Sequence, residues 1–89
     1  MRIIDGFTLR SVAGEMIVGG ESIAQVNFNK LISLNESAAY LWQEVVDSDF
    51  TIEQLAALLV SKYEIDQERA MTDASSVAQS WIEVGLVEA

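Results

Sequence analysis

The chain has 89 residues, 51% of them apolar, with 14 acidic side chains against five basic ones and a formal net charge of −9. A chain of this length makes one domain that buries roughly two thirds of its unfolded surface, and the apolar share excludes a disordered polypeptide. Cysteine and histidine are both absent, which excludes disulfides, thiolate nucleophiles, thiolate metal sites and the usual general base near neutral pH.

Residues Met1 to Asp5 form a lead-in with no assigned element. Phe7 to Val12 alternates apolar and polar residues with period two, the mark of a half-buried strand. Ala13-Gly14 makes a turn, and Glu15 to Val18 returns as the second strand of a hairpin. Gly19-Gly20-Glu21-Ser22 reads as a break and a plausible hinge. In the segment Ile23 to Asn29, Ile23, Val26 and Phe28 read as buried, and Asn27 and Asn29 as turn positions.

The chain is organised around Lys30 to Trp42, where a short strand runs directly into an amphipathic helix. Lys30 to Leu34 is the third strand, apolar and partly β-branched. Asn35 follows as the helix N-cap, and Glu36 places negative charge at the positive end of the helix dipole. Ala38, Leu41, Trp42, Val45 and Val46 then form one apolar stripe. After a loop at Asp47-Ser48-Asp49, Thr51 and Gln54 spell a capping box, with Phe50 and Leu55 spaced for a hydrophobic staple. The second helix runs to about Tyr63, with Ile52, Leu55, Ala56, Leu59 and Tyr63 as its buried stripe. Asp66 caps a third helix along which Ala70, Ala74, Val77, Ala78, Trp81 and Ile82 recur at helical spacing. Gly85 ends it as a left-handed C′ residue, with Leu86 folding back onto Trp81. Three strands followed by three helices predict an α+β fold, a small winged helix-turn-helix domain with a three-stranded antiparallel sheet, occupying residues 1–89 as a single domain.

The residues offer no catalytic constellation. The serines have no histidine partner for a triad, and the carboxylates are as numerous as any solvated acidic surface requires. Asp47-x-Asp49 lacks the glycine of a calcium loop and fits a helix approach better. Gly19-Gly20 lacks the strand–loop–helix setting of a phosphate cradle. No catalytic residue, metal ligand or cofactor is therefore expected. The scarce, dispersed bases argue against nucleic acid; a negative field repels DNA and anionic membranes and attracts a basic segment of a partner. No apolar run approaches the roughly 18 residues of a membrane span, and no signal-peptide core opens the chain, so a cytoplasmic location is expected.

Several quoted stretches occur as an ordered set: Gly14-Glu15, Leu34-Asn35-Glu36-Ser37-Ala38 with Leu41-Trp42, Thr51-Ile52-Glu53-Gln54-Leu55, then Tyr63, Asp73 and Gly85-Leu86. In this set the chain resembles the PqqD family, named for pyrroloquinoline quinone biosynthesis protein D, over nearly its whole length. The resemblance implies a non-catalytic peptide recognition element of ribosomally made, modified peptides. Such an element captures the leader of a precursor peptide and presents its core to a modifying enzyme, often a radical S-adenosylmethionine enzyme. It implies that the leader adds as a strand to Lys30, Leu31, Ile32, Ser33 and Leu34 and lies against the third helix, facing Asp73, Ser76, Val77 and Ser80. Asp73 is then available to a basic leader residue. Val77 and Ala78 are smaller than the apolar pair common in the family, which widens the cleft or changes the favoured leader side chain. The segment Ile23 to Asn29 is longer than the link in the founding quinone-pathway proteins, which sets this chain apart from them.

Two other readings stand beside this one. The fold permits a winged-helix DNA-binding regulator, although the third helix carries only Arg69 against Asp66, Glu68, Asp73 and Glu83. It also permits a structural or oligomerisation subunit, since exposed strand edges and a hinge allow a homodimer by strand exchange.

Overall fold

The computed structural model describes residues 1–20 and 31–88. The elements run β1 (Arg2–Ile3), β2 (Phe7–Val12), β3 (Glu15–Gly20), β4 (Leu31–Leu34), α1 (Glu36–Val45), α2 (Ile52–Tyr63), α3 (Gln67–Glu83) and β5 (Val87–Glu88). Strands β2, β3 and β4 form an antiparallel sheet in that order, followed by the three helices, so the expected α+β architecture is present. The lead-in is not irregular: β1 pairs antiparallel with β5, Ile3 opposite Val87, joining the two ends of the described chain. The expectations for Ile23 to Asn29 and for Lys30 lie outside the described residues.

Local chemistry accounts for each boundary. The hairpin turns through Ala13 and Gly14, both at positive φ (51° and 85°), the twist that a two-residue loop needs to match its strands. Asn35 Oδ1 accepts from the Ala38 N–H at 2.9 Å and caps α1. At α2 the capping box is complete: Thr51 Oγ1 accepts from the Gln54 N–H, and Gln54 Oε1 from the Thr51 N–H. Asp66 Oδ1 accepts from the Arg69 N–H to start α3. At its end Gly85 has φ 83°, the Leu86 N–H donates to Trp81 O and the Gly85 N–H to Ile82 O. That pair of bonds is the Schellman closure, satisfying two carbonyls the helix leaves free.

Two expectations are corrected. Gly19 and Gly20 do not break the strand but continue it, opposite Thr8 and Phe7, and Gly19 also faces Leu31. A Cβ on Gly19 would stand 3.0 Å from Leu31 Cδ2, so this glycine serves close approach within a sheet rather than a turn. Ile82 repeats at the spacing of the α3 stripe but is exposed, because the helix rotates its buried seam onto Ala70, Ala74, Ala78 and Trp81.

The core is sealed by aromatics from separate elements. Trp42 of α1 and Trp81 of α3 meet edge to face, 5.5 Å between centroids, and Phe50 packs on Trp81 in the same manner at 6.2 Å. The Phe50 N–H donates to Met1 O, and the Ile4 N–H to Leu86 O, so the β1–β5 ribbon closes over this cluster. α3 packs on α2 and buries Ala70, Ala74 and Ala78, while its Ser76, Val77 and Ser80 wall a cleft with β4.

Candidate functional site: the β4 edge and the α3 cleft

β4 pairs with β3 along one side only, in the register Met16–Leu34, Ile17–Ser33, Val18–Ile32 and Gly19–Leu31. Among the described residues its other edge has no strand partner. An edge of this kind presents a row of main-chain donors and acceptors that an extended segment can satisfy. The two faces of β4 differ. Ile32 and Leu34 pack against the core, whereas Ser33 is exposed and Leu31 is 72% exposed, the barest large apolar side chain described.

Asn35 fixes the edge relative to the helices. Its Oδ1 accepts from both the Ala38 N–H and the Ser37 hydroxyl, so only Asn35 itself separates the end of β4 from the start of α1. Between β4 and α3 lies a cleft of about 240 Å³, walled by Ser33, Leu34, Asn35, Ala38, Ser76, Val77, Ser80 and Trp81. Past Asn35, Ser76 and Val77 it opens into a cleft of about 430 Å³ that adds Ser37, Leu59, Tyr63, Ile65, Arg69 and Asp73. Residues 69, 73, 76, 77 and 80 follow the i, i+4, i+7, i+8, i+11 spacing of one helix face. Eleven residues of helix rise about 16 Å, the length of about five residues of extended chain.

The structure therefore brings Ser33, Leu34, Ser76, Val77 and Ser80 around one cleft and Asp73 into its continuation. Leu31 and Ile32 belong to the same strand but wall neither cleft. Lys30 is outside the described residues. Asn35, Ser37, Ala38, Leu59, Tyr63, Ile65, Arg69 and Trp81 complete the walls without having been singled out as site residues. The N-cap signal did find Asn35, as a structural group. Arg69 was discoverable as the i−4 neighbour of Asp73, to which its Nε stands 3.7 Å from Oδ2. Both side chains are well exposed, so that pair is weak and exchangeable.

Among the described residues no three His, Cys, Asp or Glu side chains gather to hold a metal ion, and no helix is long and apolar enough to cross a membrane.

The family model for coenzyme PQQ synthesis protein D (PqqD) matches residues 8–87. No curated protein matches the chain. Among solved structures, the one described as lasso peptide synthetase B1 complexed with the leader peptide superposes with a TM-score of 0.73. It shares 20% identity, over 99% of this chain and 96% of that one. At that identity the likeness is one of fold.

Proposed function

The chain belongs to the PqqD family, and on that premise we propose that it is a non-catalytic adaptor that captures the leader segment of a ribosomally made precursor peptide. The observation that carries this reading is the outer edge of β4, which has no strand partner among the described residues and faces a wall of small residues on α3. Strand addition needs both parts: the edge supplies main-chain bonds, and the facing groove supplies side-chain selection. The fold is shared with a protein whose described form holds a leader peptide, which supports the same role here.

In this reading Lys30, Leu31, Ile32, Ser33 and Leu34 pair with the leader through the backbone. Ser76, Val77 and Ser80 line its path, and Asp73 exchanges its loose Arg69 contact for a basic leader residue. Residues 1–89 act as a single recognition domain in the cytoplasm. The bound precursor is handed to a modifying enzyme, a radical S-adenosylmethionine enzyme or another peptide-modifying enzyme, and no nucleic acid, cofactor or membrane takes part.

Titration of isotopically labelled protein with the candidate leader, read by amide chemical shifts, tests this. Shifts concentrated at Leu31 to Leu34 and along α3 are expected. A saturating leader that moves neither element, together with no binding of the partner enzyme, would overturn the adaptor role.

A further inference from the structure

The direction of each main-chain group on β4 follows from the hairpin at the far side of the sheet. Val12 and Glu15 face each other across the two-residue Ala13-Gly14 turn, in which both residues have positive φ. A turn of this length and twist closes on a pair that exchanges both of its main-chain hydrogen bonds. Along an antiparallel ladder such bonded pairs alternate with unbonded ones. The β2–β3 register runs from Val12–Glu15 to Phe7–Gly20 without a bulge, so Arg10–Ile17 and Thr8–Gly19 are the next bonded pairs. Ile17 and Gly19 thus direct their N–H and C=O to β2, and Met16 and Val18 direct theirs to β4.

The β3–β4 register is equally continuous, which makes Met16–Leu34 and Val18–Ile32 its bonded pairs. Ile32 and Leu34 therefore hold the strand to the fold twice over, by main chain to β3 and by side chain to the core. Leu31 and Ser33, whose side chains are exposed, turn their main-chain groups to the outer edge. Among the described residues no strand pairs with that edge, and neither residue enters a turn or cap bond. The edge stops at Asn35, whose C=O already accepts from the Ala39 N–H of α1.

We propose that Leu31 and Ser33 carry the main-chain bonds of β4 to a captured peptide and that Ile32 and Leu34 carry none. The peptide that fits is an extended segment with N–H groups on two residues that lie two apart. The residue between them turns its own N–H away from β4, so proline is accepted there. This spacing is the same for an antiparallel or a parallel peptide, because main-chain groups alternate in direction along either. The assignment rests on peptide capture at β4 and deepens it.

The probe is a synthetic peptide selected for binding the full chain from a phage-displayed library of random peptides, and the first readout is hydrogen exchange at single amides. In the free protein the Ile32 and Leu34 amides should exchange slowly, and those of Leu31 and Ser33 close to the rate of an unfolded chain. With free peptide at about 100 Kd, the Ser33 amide should slow about a hundredfold. Leu9 and Ser11, which the same alternation turns outward on the β2 edge, should stay fast. The second readout replaces one peptide amide at a time by an ester, which removes an N–H without adding bulk. Binding should weaken about tenfold at two positions two apart and about threefold or less at the position between. Fast Ile32 and Leu34 amides beside slow Leu31 and Ser33 in the free protein, or ester losses without the two-apart pattern, overturn the assignment and leave strand addition standing. A bound peptide that leaves the Ser33 amide fast, or a library that yields no binder, overturns strand addition and this assignment with it.

Discussion

Asn35 joins strand to helix through a single side-chain oxygen that accepts from the Ala38 N–H and the Ser37 hydroxyl. Replacing it with alanine leaves the first turn of α1 uncapped and is expected to cost about 1 kcal/mol, which lowers Tm by roughly 4–8 °C in a domain of this size. Asn35→Asp keeps an acceptor there, and thermal melts should find it close to wild type. At the other end of α2, Glu64 occupies the left-handed region at φ 55° while its N–H donates to Val60 O. A side chain with a Cβ carries strain there, and a carboxylate at a helix C-terminus meets the negative end of the dipole. Glu64→Gly should therefore raise the denaturation midpoint by the equivalent of about 0.5–1 kcal/mol; an unchanged or lower midpoint would show that the strain is absorbed elsewhere.

The decisive elements are β4 and α3, and they tolerate change differently on their two sides. Ala74 and Ala78 are fully buried, so enlarging either forces α3 away from its neighbours. Ser76 is exposed on the cleft flank of the same helix. Ser76→Trp should fold normally by circular dichroism yet lose leader affinity at least about tenfold, since it fills the space an added strand needs. Ala78→Trp should instead destabilise the protein by about 1–3 kcal/mol or more through overpacking. A Ser76→Trp protein that still bound leader with native affinity would place the peptide elsewhere. The α3 pattern also shows how a helical period can mislead. Val77 and Ile82 share the spacing of core residues, yet Val77 walls the cleft and Ile82 faces solvent.

At the scale of the whole molecule, charge dominates. Carboxylates outnumber bases 14 to five, and the Arg69–Asp73 ion pair is loose and exposed. Self-repulsion of this kind weakens the compact state. Raising ionic strength from about 0.01 M to about 0.15 M shortens the screening length from about 30 Å to about 8 Å, so Tm should rise over that range in a sodium chloride series. The same field disfavours duplex DNA. A mobility shift at low salt would contradict the charge argument and revive a regulatory role for α3.

Much of the fold was legible from residues alone because local chemistry specifies it. Caps at Asn35, Thr51 and Asp66, the Gly85 closure, the Ala13-Gly14 turn and the helical stripes all depend on neighbours within about one or two helical turns. What depended on distant partners was not legible. Nothing near Met1 to Asp5 announces a strand, because β1 exists only through its pairing with β5 at the far end of the described chain. Gly19-Gly20 has the composition of a break, and only the approach of Leu31 across the sheet makes it a strand interior. Tyr63 reads as one more apolar stripe residue. Its hydroxyl becomes conspicuous only when the fold buries it without a partner among the described residues. The sequence by itself determined the order of elements, their ends and the acidic field, since those are set by short-range bonds and by composition. Tertiary structure decided which strand edge stays open and which flank of α3 faces it, because both are settled by contacts between residues far apart in the chain.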